Sequence, residues 1–234
     1  MISVVIPTYN EEANIERSLR QFERQTIGRK NVELIVVDGG SKDRTREVAN
    51  KYADRVIIQK SKGVGGARND GVAAAKYGLI ATTDADTLLS PDWLERIVFN
   101  FRDTAVIAVC GADGPIEKTL KPRAVFFVVR NAIRLCSYFG LFCLGGTNSA
   151  FRKDAFMQVG GYRDLPHSDD ADLGFRLGKI GKIRYDRKMF VEFSTRRLEK
   201  NGYGKTLWTW LKGDLLLLFG KDIKPKEGYA KQEY

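Results

Sequence analysis

Two carboxylates, Asp84 and Asp86, stand two residues apart in "TTDADT", directly after the apolar run "LIA", in a chain of 234 residues with a formal net charge of +10. As neighbours on one face of a strand they lie about 6.6 Å apart along the chain. Two like charges near that distance repel by roughly 2–3 kcal/mol at an effective dielectric of about 20. A divalent cation, ribose hydroxyls or the N-terminus of a helix beginning near Pro91 would each offset the repulsion. Three readings compete. A turn with Asx hydrogen bonds accounts for most isolated pairs of this kind. A calcium loop would place Asp84, Asp86 and Glu95 at its first, third and twelfth positions. Leu88 at the fifth, and Leu89 at the sixth where glycine must turn the chain, exclude it. The third reading is a metal and nucleotide site at the carboxyl ends of parallel strands, where open α/β sheets bind ligands.

Other apolar runs end in residues with similar capability. "VVIPTYNEE" closes on a proline-bent turn that exposes Thr8, Tyr9 and Asn10 before Glu11 and Glu12 open a helix. "VVDGGSKDRT" sets Asp38 at a strand end beside glycines that admit a flat ligand. "KSKGVGGARNDG" reads as a glycine-rich loop leading into a helix, where Lys62, Arg68 and backbone amides meet phosphate. Each is weak alone, because glycine turns and helix caps are common; four polar strand ends in one sheet are a stronger signal.

The elements that hold these residues alternate. Apolar runs of four to eight residues, "ISVVIP", "VELIVVD", "RVIIQ", "LIATTD" and "AVIAVC", are separated by helical patterns "EEANIERSLRQFERQ", "DRTREVANKYA", "GGARNDGVAAAKYG" and "PDWLERIVFNF". That order predicts βαβ units and a mainly parallel, Rossmann-like sheet flanked by helices, with a smaller second region. Past Gly111 come a helical stretch over 124–144, the loop "GGTNSAFRKDAF", the segment "LPHSDDADLGFRLGKIG" and the strand-like "KIRYDRKMFVEF". The chain divides into residues 1–110 and 111–220, two halves of one domain, and a polar tail over 221–234.

Composition narrows the function classes. The three cysteines, Cys110, Cys136 and Cys143, lie in apolar surroundings without metal-ligand spacing and read as reduced core residues. Met1 runs into an apolar segment with no basic leader, which predicts a cytoplasmic setting. The 39 Lys and Arg against 29 Asp and Glu attract polyanions without choosing among them. No ribonucleoprotein motif, zinc-finger spacing or arginine-rich run supports a nucleic-acid partner. "AVFFVVRNAIRLCSYFGLFCL" has the length of a membrane span, but each central arginine, Arg130 and Arg134, costs roughly 2.5–3.5 kcal/mol on insertion scales. It reads either as a helix packed on the sheet or as one lying in a membrane interface, and "LWTWLKGDLLLLFGK" poses the same choice.

"VVIPTYNEE", "VVDGGSKDRT", "KGVGGARNDG", "TTDADT", "GGTNSAFRKDAF" and "DDADLGFRL", in that order over about residues 1–200, resemble the motif series of family 2 glycosyltransferases with the GT-A fold. The resemblance implies a metal-dependent, inverting, hexosyltransferase-type enzyme that moves a single sugar from a UDP- or GDP-linked donor to a glycan or lipid-phosphate acceptor. It implies that Pro7, Thr8, Tyr9, Glu11 and Asp38 surround the base and ribose, and that Arg68 approaches the nucleotide or diphosphate. Asp84 faces the ribose, and Asp86 ligates Mn2+ or Mg2+. Gly145, Gly146, Thr147 and Asn148 shape the acceptor side. A Glu-Asp pair ahead of Asp-Leu is usual in the family, with the Asp as base. Here Asp169 and Asp170 precede Asp172 and Leu173, which points to Asp170 and leaves Asp169 as the alternative.

The same residues have a plainer use, since Ser168 or Asp169 can cap the helix "DADLGFRLGKIG" and Asp172 serves its dipole. His167, the sole histidine, has no evident orienting partner and ranks below the carboxylates as a base. Arg196 and Arg197 suit bidentate phosphate binding, or else one is solvated and the other pairs with Glu192 or Glu199. Absence of Q-x-x-R-W argues against a processive synthase. A sugar nucleotidyltransferase would need a glycine-arginine signature near the first strand, and a non-catalytic nucleotide-binding or basic interaction protein gives no reason for carboxylates at 169 and 170.

Overall fold

A computed structural model describes residues 1–138, 140, 144–221 and 223, and the backbone alone at 196 and 197. The first half runs β1 (Ile2–Thr8), α1 (Ile15–Arg20), β2 (Val32–Asp38), α2 (Thr45–Ala49), β3 (Arg55–Ile58), α3 (Gly63–Ala74), β4 (Leu79–Thr82), β5 (Leu88–Leu89) and α4 (Trp93–Asn100). The second runs β6 (Val106–Pro115), α5 (Leu120–Tyr138), β7 (Ser149–Arg152), α6 (Lys153–Gln158), α7 (Asp169–Gly178), β8 (Lys182–Phe193), α8 (Arg196–Asn201) and α9 (Tyr203–Leu218).

The described strands form one sheet in the order β3-β2-β1-β4-β7-β6-β8-β5. Parallel pairing joins β3 to β2, β2 to β1, β1 to β4 and β6 to β8. β7 runs antiparallel between β4 and β6, and β5 antiparallel to β8. The sheet is therefore mixed. β1 and β2 are nearly continuous apolar runs because both their faces are covered. On one side Val4, Ile6, Leu34 and Val36 pack with Leu19 of α1 and Trp93 and Ile97 of α4. On the other, Val5, Ile35 and Val37 meet Val72 of α3, while Phe151 stacks on Phe156 with ring centroids 4.6 Å apart. Each fully buried side chain of this size contributes about 1.5–3 kcal/mol. α3 lies on β1 because position 71 is glycine: a Cβ there would stand 2.3 Å from Val5 Cγ1.

Several boundaries differ from the sequence pattern. The helix expected over 11–25 is α1 followed by a 3-10 turn at Gln21–Arg24. Asn10 and Glu11 give their amides to Ser41 Oγ (2.9 Å) and Thr45 Oγ1 (2.8 Å), so the chain is committed to the neighbouring loop before the helix starts. The glycines of "KGVGGARNDG" lie inside α3, which begins at Gly63. Gly66 allows close approach of the preceding turn, since a Cβ would sit 2.8 Å from the Ser61 backbone. The helix expected over 124–144 starts earlier, at Leu120; residues 139 and 141–143 fall outside the described residues. The expected loop "GGTNSAFRKDAF" contains β7 and α6. The boundary placed at residue 110 falls within β6. Of the tail, only 221 and 223 are described.

β4 ends at Thr82, so Asp84 and Asp86 do not share a strand face. They stand in the turn that follows, where Thr87 N donates to the Asp84 carbonyl at 3.3 Å. Turn geometry, not the pleat, sets their spacing. Among the described residues no helix is long and apolar enough to cross a membrane.

Candidate active site

The strand order reverses between β1 and β4, the place where open α/β sheets form a crevice beyond the carboxyl ends of their strands. Thr8 and Asp38 are register partners there, and Thr82 follows on β4 beside Val5. β7 is antiparallel to β4 and starts at Ser149 opposite Thr82, so chain direction alone brings Gly145–Asn148 to the same edge as Asp84. Thr82 Oγ1 and Ser149 Oγ share a buried hydrogen bond of 3.0 Å at this junction.

Asp38 is fully buried. Its Oδ2 accepts from Gly40 N and Ser41 N, both at 3.0 Å, and Arg46 Nε stands 3.7 Å away. Its Oδ1 has no hydrogen-bond partner in the structure, nor does Thr8 Oγ1 beside it. An unsatisfied buried polar atom costs about 1–3 kcal/mol, so the pair is suited to a ligand's N–H or O–H donor. Pro7, near the end of β1, and Tyr9, on the loop after it, are half-buried, with Tyr9 at the Gly39 backbone. Glu11 takes Asn14 Nδ2 on Oε2 at 2.7 Å, which ties its side chain to the start of α1.

Arg68 is buried at the heart of the site. Its Nη2 donates to Asp84 Oδ1 at 2.8 Å, and its guanidinium lies 5.7 Å from the Tyr162 ring centroid. Burial works against this cation, yet Asp84, Tyr162, Asp169 and Asp170 together hold its pKa above the ordinary value. Gly146 faces the guanidinium so closely that a Cβ would stand 2.4 Å from Cζ. Arg68 thus joins the Asp84 turn to the loop before β7. Lys62, at the N-cap position of α3, is exposed.

Asp169 and Asp170 open α7, where the helix dipole favours negative charge. Asp170 accepts from Ala171 N on Oδ1 at 2.9 Å and from Gly146 N on Oδ2 at 3.3 Å. Burial pushes its pKa up, and Arg68 opposes that push. Burial, then the negative charge of Asp170, raises Asp169 from 3.8 to about 6. Asp169 Oδ2 is buried without a partner and packs against Gly65, where a Cβ would sit only 2.6 Å from it. Ser168 occupies the N-cap position in the left-handed region, φ 61°, yet makes no capping bond. Its hydroxyl instead lies 3.1 Å from His167 Nδ1. Burial lowers the His167 pKa, and Gly213 of α9 packs on the ring. Asp172 is held by Arg176 at 2.6 Å and Arg163 at 3.4 Å and has a structural place.

The raised pKa of Asp169 has a stability consequence with a definite sign. Its folded value lies above the unfolded one, so its stabilising contribution is complete below pH 3.8 and lost as pH rises through about 6. Thermal unfolding of wild type and Asp169→Asn across about pH 4–7 is expected to show the wild type losing stability relative to the variant as pH rises. A pH-independent difference would contradict the burial argument.

Asn148 has a different place from the acceptor-side one expected. Its Oδ1 accepts from Trp93 Nε1 at 2.8 Å, and its Nδ2 donates to the carbonyls of Ala112 (2.8 Å) and Met189 (3.0 Å). Buried and spent, it fastens β6, β8 and α4 behind the site, while Thr147 beside it is half-exposed. The side chains of Arg196 and Arg197 lie outside the described residues. Asp86 is half-buried in the turn beside Asp84. Sequence pattern does not single out Tyr162, Gly65 or Trp93: an aromatic after "GG", or one within an amphipathic helix, carries no local mark of a partner 93 or 55 residues away. A cavity of about 720 Å³ beside Leu79 and Met157 lies at the opposite, N-terminal end of β4, away from these groups.

Succinoglycan biosynthesis protein ExoA of Rhizobium meliloti is 28% identical over 192 residues, which are 76% of this chain and 58% of that one. The chain spans less than two thirds of the length of the curated relatives it matches. Among solved structures, mannosyltransferase PcManGT of Pyrobaculum calidifontis, in complex with GDP-Man and Mn2+, superposes with a TM-score of 0.76 at 21% identity. The match covers 96% of this chain and 65% of that one. Glucosyl-3-phosphoglycerate synthase of Mycobacterium tuberculosis, in complex with Mn2+, UDP and glucosyl-3-phosphoglycerate, gives 0.66 at 22%, covering 97% and 82%. These likenesses carry the fold. Residues 3–160 match the family model described as "Glycosyl transferase family 2", and with the carboxylate and arginine arrangement above, the chain belongs to that family of glycosyltransferases.

Proposed function

We propose that this glycosyltransferase moves a single sugar, with inversion, from a UDP- or GDP-linked donor to an acceptor oxygen of a glycan or lipid-phosphate acceptor, and that it needs Mn2+ or Mg2+. One observation carries the reading: a buried carboxylate pair at the start of α7 faces, through Arg68 and Gly146, the acidic turn that ends β4. The solved neighbours hold GDP-Man or UDP together with Mn2+, which supports the choice of donor and cation.

The residues fit such ligands. The partnerless Asp38 Oδ1 and Thr8 Oγ1 suit a base or ribose donor, with Pro7, Tyr9 and Glu11 on the wall beside them. Asp84 pairs with Arg68, and Asp86, half-buried in the same acidic turn, is the carboxylate this reading assigns to the cation. Among the described residues no three metal-ligating side chains cluster, and a hard cation such as Mg2+ is commonly held by one or two carboxylates plus substrate phosphates. When bound, it supplies positive charge to the departing diphosphate. Lys62, together with Arg196 and Arg197, is assigned to phosphate or acceptor oxygens in the same reading.

In the transfer, an acceptor oxygen bonds to the anomeric carbon while the bond from that carbon to the diphosphate breaks, its electron pair leaving with the diphosphate. Asp170 takes the proton when the nucleophile is a hydroxyl. Its raised pKa makes it a stronger base than an exposed aspartate, and the amides of Gly146 and Ala171 hold it in place. Asp169 keeps a second negative charge beside it, and Arg68 balances both.

Calorimetry with UDP-, GDP- and dTDP-sugars, each with and without Mn2+, tests the reading. One nucleotide class is expected to bind, only with the cation, and to be slowly hydrolysed without acceptor. Binding that ignores the metal would overturn the metal assignment, and no binding at all would overturn the donor assignment.

A further inference from the structure

A cleft of about 700 Å³ opens between the first half of α5 and the ends of β6 and β8. Phe126, Phe127 and Phe190 form apolar walls, and Lys118, Arg123 and Arg130 bring cations to it. Its carboxylates are Glu117 and Glu192. Glu117 is already spent, accepting from Ser194 Oγ and Thr195 N at 2.9 Å each. Arg130 also faces the Asp113 carboxylate, so three cations stand against Asp113 and Glu192 and the remaining balance is positive. The cleft also borders the reaction site: Glu192 is the register partner of Leu88, two residues beyond Asp86, and Gly114 is the partner of Glu192 on the other side.

The outer rim is apolar. Along α5, Leu120, Phe127, Val128 and Leu135 are 86%, 62%, 66% and 58% exposed, at a spacing that puts them on one stripe. Leu120 and Phe127 belong to both the stripe and the cleft. On α9, Trp208, Leu211 and Leu215 form a second outward stripe, 66%, 51% and 44% exposed. The two helices meet where Phe126 packs with Leu198 and Tyr203, and Lys121 lies 5.2 Å from the Tyr203 ring centroid. A cationic cleft that opens onto an apolar face has the chemistry of an amphiphile with one anionic end.

We infer that this cleft binds the acceptor by a phosphate-type anion held against Arg123 and Arg130, with the acceptor's apolar chain lying over Leu120 and Phe127. The inference rests on the glycosyltransferase reading of the neighbouring site and adds to it the acceptor class. Arginine suits the role because its planar fork matches two phosphate oxygens. The apolar chain explains why α5 turns large side chains outward beside a charged cleft.

The test uses octyl phosphate below its micelle concentration, 1-octanol and inorganic phosphate as probes, with binding read by calorimetry. Octyl phosphate is expected to bind at least tenfold more tightly than either of the others. Arg123→Ala with Arg130→Ala should bring it down to the octanol level, and Phe127→Ser should weaken octyl phosphate without changing inorganic phosphate. Equal binding of octyl phosphate and octanol, or an unaltered affinity in the double arginine variant, overturns the inference. Vesicles with and without phosphatidic acid form a second arm: capture by the acidic vesicles with no binding of monomeric octyl phosphate makes this face a membrane seat and also overturns it. Donor binding with Mn2+ is measured on every variant. Its retention while octyl phosphate fails faults the cleft alone, whereas its absence from the wild type faults the reading of the neighbouring site.

Discussion

Asp170→Asn is expected to leave donor affinity within about twofold and to lower the rate of transfer to a hydroxyl acceptor by about 10²–10⁴, the usual worth of a general base. The substitution keeps the shape of the side chain. Its carbonyl oxygen can still accept from Ala171 N or Gly146 N, so the loop before β7 should stay where it is. What disappears is the site that receives the proton, and at tenfold per about 1.4 kcal/mol the loss corresponds to about 3–5 kcal/mol of barrier. Single-turnover measurements with saturating donor isolate that step. Retained turnover would move the role elsewhere, and the parallel variant Asp169→Asn says where: a comparable loss there, with Asp170→Asn active, makes Asp169 the base. Because the two carboxylates share a buried space with Arg68, their titration belongs to the pair.

Asp86→Ala should reduce donor affinity in Mn2+ by at least about a hundredfold, since loss of a mere outer partner of a metal ligand already costs about 10–100-fold. The variant is expected to bind donor equally with and without the cation. Asp84 is held by Arg68 at 2.8 Å, and turning it to the cation would take that carboxylate from a buried guanidinium. Calorimetric titration of Mn2+ in the presence of the nucleotide separates this outcome from simple unfolding, and thermal unfolding of the free variant checks the fold. Metal-dependent binding that survives in Asp86→Ala would assign the cation to other groups.

The ends of β1, β2 and β4 were legible in the sequence because each is an apolar run that stops at a polar residue, and parallel strands place such stops on one edge. Thr8 and Asp38 are register partners and Thr82 ends β4 beside Val5, so these strand ends lie on one edge. Asp84 and Asp86 read in sequence as strand residues, but β4 ends at Thr82. "TTDADT" carries too few apolar positions to show where the strand ends, and the Thr87–Asp84 turn decides it. Asn148 was placed by its motif on the acceptor side, yet its bonds to Trp93, Ala112 and Met189 join partners 36 to 55 residues away in the chain. No local pattern marks such a tie. Likewise the outward apolar stripe of α5 looks in sequence like a packing face, because periodicity reports that a stripe exists and not which side of it meets the core.

The insertion of β7 between β4 and β6 governs the order of events during synthesis. Once residues up to Thr82 have emerged from the ribosome, β3, β2, β1 and β4 can assemble, but β4 then offers an unpaired edge until Ser149–Arg152 arrive. At about 5–20 residues per second the intervening chain leaves that edge open for several seconds. A nascent protein of this topology is therefore exposed to edge-to-edge association just before its two halves join. The strand that closes the window is also the one that delivers Gly146 to Arg68 and Asp170.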